Sequence, residues 1–242
     1  MSEPAPAHVQ PEENSRHGRL ATRLAAPVSR STRTGLLRLD GPSGDLLGLA
    51  YVPAPTGDRP YRLVLLLHGA GGSPRQGLDL LLPLADSRGL LLLAPKSASG
   101  TWDLIVDGFG VDVRRIDRVL EEVVDAYAVE AAVVGGFSDG ASYALSLGLT
   151  NGDLFGAVIA FSPGFAAPLV RHGRPQVFVS HGTGDRVLPV NACSRRLVPQ
   201  LKALDYPVTY VEFAGGHEVP EPVRDRAVAW LLPAAERTVE HA

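Results

Sequence analysis

The sequence predicts an α/β fold, with a mostly parallel sheet and helices on both faces. Three observations carry that expectation. Short continuous apolar runs alternate with helical patterns from residue 61 onward. The runs Tyr61–Leu67 and Leu90–Pro95 have no polar alternation, as strands buried on both faces should read. Glycine-rich turns close most of these runs, so functional groups are expected outside the carboxyl ends of the strands.

The chain has 242 residues, enough for one α/β domain with a sizeable core, and 45% of them are hydrophobic. A net charge of −3 argues against nucleic acid and anionic membrane as partners. The single cysteine, Cys193, excludes an intramolecular disulfide and a cysteine-based metal cluster, and its expected role is that of a small buried residue. No metal or cofactor site is expected, and a reducing cytoplasm suits the chain. Residues 1–33 are rich in proline, alanine, serine and charge, without the apolar core of a signal peptide. They read as a disordered or loosely attached tail, or with Leu20–Ala26 as a short helix lying on the domain. Residues 34–242 read as that domain. No apolar run approaches membrane-spanning length.

Taken in order, 35–39 and 46–52 predict an opening antiparallel hairpin around Gly41-Pro42-Ser43-Gly44-Asp45. After the strand at 61–67 comes a helical spacing of leucines over 75–88, which Pro83 should split and Gly89 should close. The strand at 90–95 leads into a loop, 96–103. Val113, Ile116, Val119, Leu120, Val123, Val124 and Tyr127 share one helical face, with Asp112 as the expected N-cap. Strands follow at 130–134, 155–161, 176–180 and 208–213, and helices after 141, over 191–204 and over 222–232.

The chemistry concentrates in Gly136-Phe137-Ser138-Asp139-Gly140. A serine between two glycines, where an apolar run gives way to a helical pattern, predicts a sharp strand-to-helix turn that presents Ser138 as a nucleophile. Side chains at Gly136 and Gly140 should collide where strand and helix approach. A serine hydroxyl needs an imidazole to take its proton and a carboxylate to orient that imidazole. His217, after Gly215-Gly216, and Asp185, after Gly182-Thr183-Gly184, each lie just past a predicted strand and fill those roles. Glu212 and Asp205 are weaker acids, because neither lies past a strand end. The expected oxyanion donors are the N–H groups of Asp139 and Ala70, with Gly71 as the next choice. The Asp139 carboxylate is expected to point away from the oxyanion, to a hydrogen bond on the helix N-terminus, where a negative charge is favourable. His68 and His181 are expected to hydrogen-bond loop backbone.

Four motifs in order, His68-Gly69-Ala70-Gly71-Gly72, Gly136 to Gly140, His181 to Pro189 and Gly216-His217, resemble the α/β-hydrolase fold. Within it they are similar to the phospholipase/carboxylesterase group of small bacterial carboxylesterases and acyl-protein thioesterases. The resemblance implies a cofactor-free serine hydrolase of small-molecule esters or thioesters. Its triad would be Ser138, Asp185 and His217. Asp139 departs from the glutamine usual in acyl-protein thioesterases, and loop 96–103 departs from its relatives while keeping Thr101-Trp102-Asp103. Gly71, Trp102 and Phe165 are expected to border a substrate pocket. The short 155–176 stretch leaves no room for a large lid, which suits short or medium acyl chains. Thioesterase, lysophospholipase, acyltransferase and a non-catalytic binding protein on the same fold stay open. A nucleotide-binding site at Gly135-Gly136 is disfavoured, since the spacing is not G-x-G-x-x-G and no Walker lysine is present.

Overall fold

A computed structural model describes residues 11–27, 31–55, 57 and 59–232. Its centre is an eight-stranded sheet in the order β1-β2-β4-β3-β5-β6-β7-β8. β1 (Gly35–Asp40) and β2 (Leu46–Val52) form the expected antiparallel hairpin, and β2 also runs antiparallel to β4 (Leu90–Pro95). The remaining ladders are parallel, joining β3 (Tyr61–Leu67), β4, β5 (Val129–Phe137), β6 (Phe155–Phe161), β7 (Gln176–Gly182) and β8 (Val208–Phe213).

Period-two alternation sends successive residues of one strand into different cores. Leu63, Leu65 and Leu67 of β3 belong to one cluster, Val64 and Leu66 to the other. The first cluster is covered by α5 (Val111–Ala126), α6 (Asp139–Thr150) and α7 (Ser194–Ala203). The second is covered by α2 (Pro74–Asp79), α3 (Ala85–Arg88) and α8 (Glu221–Leu231). Strand order explains this division. The step from β3 to β4 moves one way along the sheet and the step from β4 to β5 moves the other way. Right-handed crossovers therefore put α2 and α5 on opposite faces. The reversal opens a crevice at the carboxyl ends of β3, β4 and β5, and the loops that carry the site converge there.

Local signals behave as the residues dictate. Pro83 splits the 75–88 region into α2, a 3-10 turn over Leu82–Leu84, and α3, and Gly89 closes it at φ 60°. Asp112 is not the N-cap of α5. Gly110 holds that position, and Asp112 lies buried in the first turn. Its carboxylate turns back onto loop 96–103, where two backbone N–H groups supply what a cap would have received. From Gly140 to Thr150, α6 is buried on all sides. Ser142, Ser146 and Thr150 survive there because each hydroxyl donates to the carbonyl four residues earlier.

Part of the segment expected to be loose is tied down. α1 (Pro11–Arg16) leads to an extended stretch in which Leu20 is 2% exposed. Arg19 grips Asp153 through paired contacts of 2.8 Å, and buried Asn151 binds Leu20 N–H and Gly18 O at 2.9 and 2.7 Å. Leu20–Ala26 is not a helix. One apolar anchor and a buried amide that matches the backbone fix the extended chain instead. Residues 1–10 and 28–30 lie outside the described residues.

Candidate active site

Ser138 occupies the turn between β5 and α6 at φ 58°, ψ −123°, a conformation that side chains rarely adopt. Its N–H donates to Phe161 O at 3.0 Å, continuing the β5–β6 ladder up to the turn. The flanking glycines are sterically required. A Cβ on Gly136 would meet Gly140 O, and a Cβ on Gly140 would meet the carbonyl oxygens of Leu67 and His68. These are backbone atoms that cannot swing aside.

His217 Nε2 lies 2.8 Å from Ser138 Oγ, and His217 Nδ1 lies 2.6 Å from Asp185 Oδ2. The other carboxylate oxygen of Asp185 accepts from Val187 N–H and Leu188 N–H at 2.9 and 2.8 Å. Burial pushes the Asp185 carboxyl up. The hydrogen bond and charge of His217, with the Leu188 and Val187 N–H groups, outweigh it and hold the group below the usual carboxylate range. Two loops bring these side chains together. Thr183 N–H donates to Phe213 O and Gly184 N–H to Gly215 O, each at 2.9 Å, so the loops after β7 and β8 run side by side. Gly182 permits this, since a Cβ there would meet Gly216 O. The His217 ring rests against Phe137, with centroids 4.6 Å apart. Together the three side chains have the geometry of a Ser–His–Asp triad.

A second serine and histidine sit behind Asp185. His181 Nε2 is 2.7 Å from Leu188 O and 3.3 Å from Asp185 Oδ2, and its Nδ1 is 2.7 Å from Ser194 Oγ. A carbonyl only accepts, so Nε2 carries the proton and Nδ1 accepts from the Ser194 hydroxyl. His181 and Ser194 are 0% exposed, which leaves a substrate no route to Ser194. The pair braces the acid loop, in keeping with the structural role expected of His181.

His68 behaves likewise. Nδ1 donates to Gly69 O at 2.8 Å, Nε2 accepts from Ser97 N–H at 3.3 Å, and burial lowers its pKa. The loop after β3 lies against the serine, for a Cβ on Gly69 would come within 3.4 Å of Ser138 Cβ. Neither Ala70 N–H nor Asp139 N–H bonds another described residue. Gly71 N–H, by contrast, donates to Gly100 O at 2.6 Å, so it is no free oxyanion donor.

Trp102 does not border a pocket. It is 0% exposed, donates from Nε1 to His68 O at 2.8 Å, and packs between His68 and Tyr143. The indole is large and carries one donor, and here both are used beneath the site. Phe165 is 37% exposed on the segment after β6. Glu212 pairs with Arg195 on the surface, and Asp205 is exposed. Cys193 is buried, and burial raises its thiol pKa, as for an inert core residue. Among the described residues no cluster suited to a metal occurs, and no helix is long and apolar enough to cross a membrane.

Sequence reasoning pointed the Asp139 carboxylate to the helix N-terminus; its partner is on another loop. Thr101 Oγ donates to its Oδ2 at 2.8 Å. It also missed the support under loop 96–103. Asp112 accepts from Ala98 N–H at 2.6 Å and Asp103 N–H at 2.8 Å, Asp112 N–H donates back to Asp103 at 2.8 Å, and Tyr143 O–H donates to Asp103 at 2.9 Å. The one available signal was Thr101-Trp102-Asp103 itself.

No protein-family model and no curated protein matches the chain. Solved structures do. Esterase PE8 is 26% identical with a TM-score of 0.62, the match covering 81% of this chain and 98% of that one. A fluorophosphonate-binding serine hydrolase of Staphylococcus aureus is 14% identical with a TM-score of 0.65, covering 81% and 96%. A phospholipase/carboxylesterase of Dyadobacter fermentans is 19% identical with a TM-score of 0.58, covering 86% and 100%. With the strand order and the serine turn, these likenesses show the α/β-hydrolase fold.

Proposed function

We propose that the protein is a serine hydrolase that cleaves small-molecule carboxylic esters through an acyl-enzyme on Ser138. The observation that carries this reading is the continuous relay of 2.8 and 2.6 Å from Ser138 through His217 to Asp185, with the serine on a strained turn. The likeness to proteins described as esterases supports it.

In the first half-reaction Ser138 Oγ attacks the ester carbonyl carbon while its proton passes to His217 Nε2. Asp185 holds the imidazole with its other proton on Nδ1 and stabilises the imidazolium. The carbonyl oxygen becomes an oxyanion and accepts from the N–H groups of Ala70 and Asp139. The C–O bond to the leaving group then breaks, and His217 returns its proton to the departing alkoxide. In the second half, water attacks the acyl-enzyme, His217 takes the water's proton, and the acid leaves as Ser138 regains its hydrogen. None of these steps calls on a cofactor.

Ser138 is 9% exposed, and residues 162–175, between β6 and β7, hold no helix that could serve as a lid. Short and medium acyl chains suit such a site, with Phe165 and the Gly71 turn at its border. Membership of the phospholipase/carboxylesterase group and a cytoplasmic location belong to the same proposal, supported by the motif order and the single free thiol. Thioesters and lysophospholipids present the same carbonyl to the same serine and belong in the substrate panel.

The test is hydrolysis of a p-nitrophenyl ester series, together with labelling by a fluorophosphonate probe. Ser138→Ala should abolish turnover and labelling while leaving the melting temperature unchanged. Full activity in that variant overturns the proposal. A wild-type protein that is folded, unlabelled and inactive points to a binding protein on the hydrolase fold.

A further inference from the structure

The segment Ser97–Trp102 contacts every piece of backbone from which the oxyanion donors come. On the α6 side, Thr101 Oγ donates to Asp139 Oδ2 at 2.8 Å. On the β3 side, Gly100 O accepts from Gly71 N–H at 2.6 Å, next to Ala70. Beneath them, Trp102 Nε1 holds His68 O at 2.8 Å and Ser97 N–H reaches His68 Nε2 at 3.3 Å. The segment is in turn fastened to α5 by the reciprocal Asp103–Asp112 bonds of 2.8 Å. No other described loop touches both donor-bearing segments through hydrogen bonds.

We propose that Thr101 is a positioning residue for the oxyanion hole, fixing the Asp139 carboxylate on the Ser97–Trp102 segment so that the Asp139 and Ala70 N–H groups converge on one point. Two physical demands meet here. An oxyanion hole works only if its donors are already aimed when charge develops. Asp139 must supply such a donor, yet it carries a negative charge one side chain away from the growing negative oxygen, and like charges repel. A hydroxyl hydrogen bond answers both. It gives the carboxylate a fixed partner away from the reacting oxygen, and it locks the first residue of α6 to the loop that holds Gly71. The proposal deepens the esterase reading and rests on it.

The experiment measures steady-state hydrolysis of p-nitrophenyl acetate by the full chain, with melting temperatures as the control for folding. Thr101→Val keeps the shape of the side chain and removes the donor. It should lower kcat by about tenfold to a hundredfold, less than the loss of a whole oxyanion donor, with KM within about twofold of wild type. Thr101→Ser, which keeps the hydroxyl, should return kcat to within about threefold of wild type. Adding Asp139→Asn to Thr101→Val should recover part of the loss, because the undirected charge is gone; a purely structural role predicts no recovery. Thr101→Ala repeats the measurement should the valine variant unfold. An active wild type with unchanged kcat in both the valine and alanine variants overturns this inference alone, as does a loss carried wholly by KM or by melting temperature. A wild type that hydrolyses no ester overturns the esterase reading and this inference with it.

Discussion

Replacing Asp185 with asparagine tests the relay more sharply than deleting the serine, because the structure dictates which way the new amide must face. Oδ1 accepts two backbone N–H groups, from Val187 and Leu188, and Oδ2 accepts from His217 Nδ1. An asparagine oxygen can fill only one of these places. If it stays with the two N–H groups, its NH₂ faces His217 Nδ1, which must then accept. The imidazole proton moves to Nε2 and points at Ser138, so the base is lost. If the amide flips, its NH₂ opposes two backbone donors, at about 1–3 kcal/mol for each unsatisfied group. The flipped form is therefore higher by about 2–6 kcal/mol, and only a fraction of about 3 × 10⁻² to 4 × 10⁻⁵ of the molecules keeps a working base. We expect kcat for p-nitrophenyl acetate to fall by about 30-fold to about 3 × 10⁴-fold, a range that includes the loss of about 10⁴ known for an asparagine at the orienting acid of a serine protease. KM and melting temperature should change little, and labelling by a fluorophosphonate should slow in parallel with kcat. An asparagine variant within tenfold of wild type would refute the reasoning, since it would show that Asp185 does not set the imidazole tautomer.

Two further predictions concern the scaffold around the site. Burial pushes the Asp112 carboxyl up to about 6 from 3.8, against the lowering effect of the Ala98 and Asp103 N–H bonds. A raised folded pKa means that Asp112's favourable contribution is complete below pH ~4 and is lost as pH rises through about 6. Urea unfolding of wild type and Asp112→Asn should therefore diverge in the variant's favour by about 3 kcal/mol between pH 4 and pH 8, and a difference that ignores pH contradicts the raised carboxyl. Asn151→Ala leaves Leu20 N–H and Gly18 O without their buried partner. It should destabilise the protein by about 2–3 kcal/mol, lower the melting temperature by about 5–10 °C, and speed amide exchange at Leu20. Unaltered exchange there would show that the 18–22 segment is held by other contacts.

The fold was legible because most of its strands are buried on both faces and announce themselves as apolar runs bounded by glycine. The triad was legible because its members stand just past strand ends, where backbone geometry leaves few residues able to reach inward. Where expectation and structure part, the missing quantity is a partner in space. Asp112 has the residue type and place of an N-cap, but the loop that leads from β4 into α5 folds back and reaches its carboxylate first. Trp102 read as a pocket residue because its loop follows a strand end and keeps Thr101-Trp102-Asp103, yet its Nε1–H found the His68 carbonyl and the ring went under the floor. Leu20 lies in a stretch with tail-like composition, and nothing local says that Asn151 and Asp153 will be waiting more than a hundred residues later.

Asp139 joins these cases to the chemistry. In sequence it stands beside the nucleophile with a charge that the mechanism does not want; the start of α6 favours a negative charge there, but no local rule names its partner. In space its carboxylate meets the Thr101 hydroxyl, and Thr101 sits on the segment that also holds Gly71 and His68. In the proposed mechanism the position after the serine donates an N–H whichever side chain it carries. The side chain is therefore free to do a second task, tying the start of α6 to a loop from another crossover. A residue that looks unhelpful when judged by charge alone becomes reasonable once its hydrogen-bond partner defines where that charge points.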